Sequence, residues 1–131
     1  PGLIALCLSG TAVLSACGGP FNEAEVDRAL KSVGVIDESN LNDIMLTVAD
    51  PNESVAYFAK AVATDPARVD LQRGLAKSLV RAQRPQEGAK AWAQVVASPE
   101  GTNEDRVGYA DALIRSNDWA AAEAELNRIP P

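Results

Sequence analysis

Apolar residues recur every three or four positions along most of the chain, which is the spacing of a helix with one buried face. No segment combines strict apolar–polar alternation with the β-branched side chains typical of strands. The pattern therefore predicts an all-α protein. We expect helices at residues 23–33, 38–48, 51–64, 66–82, 85–97, 103–116 and 119–129.

Local start signals support three of these helices. Asp50 precedes Pro51 and Asp65 precedes Pro66, so each pair offers a capping carboxylate followed by a proline at the first helical position. Asp118 stands in the capping position before the last predicted helix. We therefore expect helices to begin directly after these three carboxylates.

The chain also repeats itself, with a period of about 34 residues. When the sequence is shifted by this repeat period, small residues fall on small residues and large apolar residues fall mostly on large apolar residues, without a gap. Helical hairpins that cannot bury their apolar faces alone form one continuous core when they repeat in this way. The aligned sets include Ser54, Gly88 and Ala122; Phe58, Trp92 and Leu126; Met45, Leu79 and Leu113.

This pattern resembles the tetratricopeptide repeat, a helix–turn–helix unit of the same period with a first helix A and a second helix B. The resemblance covers residues 35–131, and it departs from the family pattern at Arg84-Pro85, which replaces a Gly-rich turn. It implies an α-solenoid of about three repeats, preceded by one short helix. The repeats lie at about 35–68, 69–102 and 103–131.

An uncharged, mostly apolar segment occupies residues 3–16. It is too short for a membrane-spanning helix and suits a signal-peptide core, without the basic region that normally precedes one. The run from Leu14 to Cys17, followed by two glycines, resembles the lipobox of bacterial lipoprotein precursors. That resemblance implies a signal peptide at 1–16, lipidation at Cys17, and a linker with an N-terminal helix at 17–34. An ordinary secretory signal and a buried helix with a chance cysteine stay open as alternatives.

Composition limits the chemistry of the chain. It has 131 residues, a net charge of −6 and no histidine, and both of its cysteines lie in the N-terminal segment. The acidic balance argues against nucleic-acid binding, which usually leaves a basic footprint. Without histidine, Ser-His-Asp catalysis, Cys-His catalysis and histidine-ligated zinc are excluded. Paired carboxylates such as Glu104-Asp105 stand at helix starts, where capping explains them, so we expect no catalysis, cofactor or metal.

A solenoid of this family presents a concave groove lined mainly by its A helices. Arg73, Lys77 and Arg81 recur every four residues and predict a basic stripe on one helix face. The stripe suits an acidic or C-terminal peptide segment; the alternative is a solvated face whose cations pair with Asp70 and Asp111. The predicted partner groove consists of Asp70, Arg73, Lys77, Val80, Arg81, Asp111, Ile114 and Arg115, extended by Ser39, Asp43, Leu46, Thr47, Glu104 and Val107.

Together these features predict a non-enzymatic, membrane-anchored adaptor that binds other proteins. The lipobox, with no aspartate after Cys17, implies an outer-membrane anchor facing the periplasm of a Gram-negative bacterium. Small repeat lipoproteins of this plan resemble the Tad/Flp pilus-assembly lipoproteins and, more loosely, the pilotins, which implies a secretin or pilus-assembly subunit as partner. The alternatives are a scaffold lipoprotein for peptidoglycan enzymes or outer-membrane assembly, and an envelope enzyme whose catalytic part lies elsewhere in the protein.

Overall fold

The computed structural model describes residues 23–131, apart from the side chains of residues 23 and 32–36. Within that span it contains six helices and no strand, so the predicted all-α fold class is confirmed. Residues Val35–Pro131 form one compact unit, and the residues up to Gly34 belong to another. The helices are α1 (Glu23–Thr47), α2 (Pro51–Thr64), α3 (Val69–Arg81), α4 (Pro85–Ala97), α5 (Asn103–Arg115) and α6 (Trp119–Leu126).

The first helix is longer than the sequence predicts. Separate helices are expected at 23–33 and 38–48, but α1 runs without interruption through both segments, so the prediction of a separate short N-terminal helix is wrong. The residues between them contain no proline, and a single glycine, Gly34, costs a helix only about 1 kcal/mol. In the first part of α1, Lys31 pairs with Asp27 at 3.2 Å.

The prediction that a helix begins at Pro66 is also wrong. Helix α3 begins at Val69, and Arg68 occupies the N-cap position. Asp65 instead ends α2, where its N–H donates to the carbonyl of Ala61 at 2.9 Å. The chain between α2 and α3 must reverse direction for the two helices to pack together, and a helix that included Pro66 would leave no residues for that turn.

The helices keep the repeat period that the sequence predicts. Because α1, α3 and α5 end at corresponding positions and α2, α4 and α6 begin at corresponding positions, the first set occupies the A position of the repeat and the second the B position. Helix α6 ends at Leu126, earlier than predicted, and the chain goes on in tighter turns, in which the N–H of Arg128 donates to the carbonyl of Glu125 at 3.2 Å. The A helices end at Thr47, Arg81 and Arg115, and the B helices begin at Pro51, Pro85 and Trp119, each one repeat period after the one before.

Two of the predicted helix starts are confirmed by hydrogen bonds. The side chain of Asp50 accepts from the N–H groups of Asn52 at 2.9 Å and Glu53 at 3.3 Å. The side chain of Asp118 accepts from the N–H of Ala121 at 3.2 Å. Both carboxylates therefore satisfy donors that a helix N-terminus otherwise leaves unpaired.

The turns before α4 and α6 share one backbone conformation. Gln83 and Asn117, which lie one repeat period apart, have φ angles of 60° and 63°, in the left-handed region. Each turn is closed by a hydrogen bond from the residue that follows to a carbonyl near the end of the preceding helix, as in a Schellman motif. These bonds run from the N–H of Arg84 to the carbonyl of Leu79 and from the N–H of Asp118 to the carbonyl of Leu113, both at 2.9 Å.

From α2 onward, each helix packs against the next, and aromatic rings fill the space between repeats. Phe58 of α2 is 1% exposed and lies against Gly74 of α3, where a Cβ atom would overlap the ring. Trp92 of α4 is 4% exposed and lies against Gly108 of α5, where a Cβ atom would be 2.7 Å from the indole. Each ring therefore requires a glycine on the following A helix, and the two ring–glycine pairs lie one repeat period apart.

Candidate functional site

A groove of about 780 Å³ lies between α3 and α5, and we call it the α3–α5 groove. Its apolar surface comes from Leu46 of α1, Val80 of α3 and Val107 of α5, together with the largely buried Trp92 of α4. A volume of this size is within the range of pockets that bind ligands. The charged residues that line the groove are Arg73, Lys77, Arg81, Glu104, Asp105, Asp111 and Arg115.

Most residues predicted for the partner groove line the α3–α5 groove. They are Arg73, Lys77, Val80, Arg81, Asp111 and Arg115 of the main set, with Leu46, Glu104 and Val107 of the extension. Asp70 does not: it accepts a hydrogen bond of 3.1 Å from Arg68 and is exposed. Ile114 is half-buried and packs against the core. The remaining predicted residues, Ser39, Asp43 and Thr47, lie on α1 outside the groove lining.

Arg73 forms a structural ion pair. Its guanidinium donates two hydrogen bonds of 2.8 Å to the carboxylate of Asp105 and one of 2.6 Å to the carbonyl of Glu100. Asp105 also accepts from the N–H of Thr102 at 2.9 Å and completes a capping box with it. Burial raises the pKa of Asp105, but the hydrogen bonds from Arg73 and Thr102 outweigh burial and leave this pKa below its ordinary value. Arg73 therefore ties α3 to the start of α5.

Arg81 and Arg115 are engaged in other ways. Arg81 donates to the carbonyls of Met45 and Ala49, both at 3.1 Å, and so satisfies acceptors at the end of α1. Arg115 pairs with Asp111 one turn earlier on α5, at 2.8 Å, and both side chains are about half exposed. An exposed pair of this kind is weak, so it can open when a ligand binds.

Lys77 differs from its neighbours on the predicted stripe. Among the groove cations that the structure describes, it alone has neither an ion-pair nor a hydrogen-bond partner, and it is exposed. Four cationic and three anionic side chains line the groove, in a chain with a net charge of −6. The groove is therefore a local excess of positive charge, and Lys77 is the part of that charge most available to a ligand.

The predicted groove omits four residues that line it. Asp105 is predicted only as a helix-start carboxylate, although its spacing from Thr102 is that of a capping box and places it at the start of α5. Its partner Arg73 is 32 positions earlier in the chain, so no local pattern links the two residues. The four omitted residues are Trp92, Thr102, Asp105 and Gly108.

Other kinds of site were predicted or excluded from the sequence. In the described part of the chain, no group of three or more histidine, cysteine, aspartate or glutamate residues is placed to hold a metal ion. None of the described helices is both long and apolar enough to cross a membrane. The predicted signal peptide at 1–16 and the predicted lipidation site Cys17 lie outside the described residues.

Comparison with known proteins identifies no relative. No protein-family model, no curated protein and no solved structure matches the chain. The resemblance to tetratricopeptide repeats therefore rests on the residues of the chain and on the repeat period of its helices.

Proposed function

We propose that this chain is a non-enzymatic α-solenoid of the tetratricopeptide type that binds a segment of a partner protein in the α3–α5 groove. The observation that carries the proposal is the groove itself, in which apolar walls stand beside Lys77, a cation without a described partner. This combination favours a ligand that presents a carboxylate next to an apolar side chain. An acidic or C-terminal segment of a protein supplies both groups.

The described packing supports a repeat of this type. Ser54, Gly88 and Ala122 are buried at the same position of three successive B helices, where small residues let neighbouring helices approach closely. Phe58 and Trp92 each fill the space against the next A helix. In a stack of such repeats the A helices share one face, and α3 and α5, which line the groove, are both A helices.

The groove walls are tied together by contacts within the chain. The ion pair between Arg73 and Asp105 links α3 to α5, and the hydrogen bonds from Arg81 to Met45 and Ala49 link α3 to the end of α1. A binding surface that is already ordered loses less conformational entropy when its ligand arrives. This supports a role as a docking module.

For the cellular setting we propose a lipid anchor at Cys17 that holds the module at the periplasmic face of the outer membrane. Acyl chains contribute about 0.8 kcal/mol for each buried methylene, so two or more chains anchor a protein stably. The support is the lipobox resemblance of residues 14–17. The partner is then an envelope protein, and the resemblance to Tad/Flp pilus-assembly lipoproteins favours a secretin or pilus-assembly subunit.

The test compares Lys77→Glu with a matched variant, Lys90→Glu. Lys90 is an exposed lysine on α4 that does not line the groove, so both variants change the net charge equally. The full-length protein is extracted from its native envelope in mild detergent, and the proteins that co-purify are compared with those of the parent. We expect Lys77→Glu to lose the partner and Lys90→Glu to retain it.

The identity of the lost partner tests the setting. A secretin or pilus-assembly subunit supports the pilotin-like role, whereas a peptidoglycan enzyme moves the protein to the scaffold class. If Lys77→Glu retains the same partner as Lys90→Glu, the α3–α5 groove is not the binding site.

A further inference from the structure

A second surface, separate from the groove lining, lies on α1. Asp37, Asn40, Leu41, Ile44 and Val48 follow helical spacing, and all five are exposed; we call them the α1 face. Its apolar members are 42%, 52% and 79% exposed, in chain order. Large apolar residues that stand together on one exposed face are typical of an interaction surface.

The equivalent residues one and two repeat periods later show whether the same helix face is covered in α3 and α5. In α3 the equivalent residues are Leu71, Gly74, Leu75, Ser78 and Ala82. In α5 they are Asp105, Gly108, Tyr109, Ala112 and Ser116. All ten are buried or half-buried, so the face is covered in α3 and α5 and open in α1.

The element that covers this face is the B helix of the preceding repeat. The ring of Phe58 in α2 lies over Gly74, and the hydroxyl oxygens of Ser54 and Ser78 are 2.6 Å apart. Helix α4 covers α5 in the same way, through Trp92. In the described part of the chain no B helix precedes α1. Within residues 23–131, the α1 face is therefore a repeat interface that no B helix covers.

We propose that the α1 face docks an amphipathic helix of a partner protein, packed as α2 packs on α3 and carrying arginine or lysine beside its apolar stripe. This surface is distinct from the α3–α5 groove, and the proposal does not depend on what the groove binds.

The charges of the chain favour a basic partner helix. No lysine or arginine occurs between Val35 and Ala59. Asp37 belongs to the α1 face, and its equivalent in α5, Asp105, is buried and bound by Arg73 of the preceding repeat. Arg73 lies on the A helix α3, beside the covering helix α4. A carboxylate that is buried without a cation is costly, so a partner that buries Asp37 must likewise bring a cation beside the apolar stripe of its covering helix.

Side-chain size adds a second requirement for the partner. Ile44 stands where α3 has Ser78 and α5 has Ala112, which are small because the covering helix comes close there. A helix that packs over Ile44 at a similar distance therefore needs glycine or alanine opposite it.

Neither the sequence before α1 nor a second copy of the chain has the charge that such a partner needs. Residues 1–22 contain no lysine or arginine, and a second copy of the chain brings a net charge of −6 to a surface that is already acidic. Long-range charge therefore disfavours a second copy and favours a partner protein of opposite charge.

The test measures access to the α1 face with Ile44→Cys, in the full chain with Cys7→Ser and Cys17→Ser. The probes are two synthetic amphipathic helical peptides with the same apolar stripe, one flanked by lysine and the other by glutamate. We expect the lysine peptide to slow maleimide labelling of Ile44→Cys in a salt-dependent way, and the glutamate peptide to leave it unchanged. Ala59→Cys, exposed on α2, is the control position and should label at the same rate throughout.

A charge variant sharpens the test. Adding Asp37→Arg should weaken protection by the lysine peptide about fivefold, whereas Asp65→Arg, at an exposed acid between α2 and α3, should leave it unchanged. Circular dichroism checks that each variant keeps its helix content.

Four results would overturn the proposal. Equal protection by the two peptides would show that charge does not select the partner, and no protection by either would show that the face does not dock a helix. Slow labelling of Ile44→Cys without peptide at every protein concentration would show that the chain covers its own α1 face. Labelling that slows as protein concentration rises would show that a second copy covers it.

Discussion

Replacement of Gly108 by alanine tests the ring-on-glycine packing, because two effects of opposite sign compete there. By helix propensity alone, alanine stabilises a helix interior by about 0.5–1 kcal/mol relative to glycine. In this fold the added Cβ would lie 2.7 Å from Cζ2 of Trp92 and 3.0 Å from two further indole carbons. Carbon atoms in contact prefer separations of about 3.5–4.0 Å, so the indole must move by about 1 Å. We expect the clash to exceed the gain in propensity.

The expected magnitude follows from the burial of the indole. Trp92 is 4% exposed between α4 and α5, so its rigid ring has little free space into which it can move. Overpacking of this kind costs about 1–3 kcal/mol, which leaves a net destabilisation of about 0.5–2 kcal/mol after the propensity gain. Gly74→Ala should cost more, because the added Cβ would come closer still to the ring of Phe58.

Urea unfolding of the full chain, followed by circular dichroism, measures the free energy of unfolding. Ala59→Gly, at an exposed position of α2, measures the propensity effect without a clash. In a Trp92→Leu background, which carries the residue found at position 126 of the next repeat, the cost of Gly108→Ala should shrink because the smaller side chain leaves space. A Gly108→Ala chain that is as stable as the parent, or more stable, would refute the packing argument.

Three other contacts yield predictions of stability. Asp105→Asn removes the carboxylate that Arg73 binds. Because folding lowers the pKa of Asp105, the stability that this carboxylate contributes is complete above the ordinary aspartate pKa of about 4 and is lost as pH falls through the lower folded pKa. The unfolding free energies of parent and variant should therefore converge in acid. Ser78→Ala should cost about 1–2 kcal/mol in urea unfolding, because it leaves the buried hydroxyl of Ser54 without its partner. Ser54→Ala should cost less, because the hydroxyl of Ser78 still donates to the carbonyl of Gly74 at 2.8 Å. Gln83→Gly should raise the unfolding free energy by about 0.5–1 kcal/mol, because a φ of 60° is strained for glutamine, whereas glycine adopts it readily.

Each of these predictions has a result that contradicts it. A difference between the parent and Asp105→Asn that stays constant into acid would mean that the ion pair does not carry the pH dependence. Equal costs for the two serine variants would contradict the argument that Ser78 keeps a hydrogen bond when Ser54 is replaced. Gln86→Gly, at an exposed position of α4, is the control for Gln83→Gly and should destabilise the chain. A Gln83→Gly chain that loses as much stability as Gln86→Gly would contradict the argument from backbone strain.

Features of the fold that depend only on residues close together in the sequence could be predicted. The cap at Asp50 and the cap at Asp118 each involve residues within one helical turn, and both are confirmed. The Asp65-Pro66 pair carries the same local signal but belongs to a connection, because the packing of α3 against α2 decides where α3 begins. The continuity of α1 through Gly34 cannot be predicted from local signals, because the cost of one glycine in a helix is too small to decide whether the helix ends there.

The groove shows the same division between local and distant contacts. The positions of Lys77 and Val80 on one side of α3 follow from helical spacing and from the repeat, and both residues line the groove. The sequence does not show that Arg73 binds Asp105 or that Arg81 binds carbonyls of α1, because these partners are brought together only by the stacking of helices. The predicted basic stripe therefore leaves Lys77 as its available cation.

The proposed occupancy of the α3–α5 groove is tested most directly by site-specific photo-crosslinking in the native envelope. A photoreactive residue replaces Val107, which is 51% exposed on the groove wall, or Ala124, which is exposed on α6 outside the groove lining. We expect a discrete crosslinked partner from position 107 that disappears when Lys77→Glu is added, and none from position 124. Crosslinking to the same protein from both positions, or a product at 107 that persists with Lys77→Glu, would contradict binding in the groove.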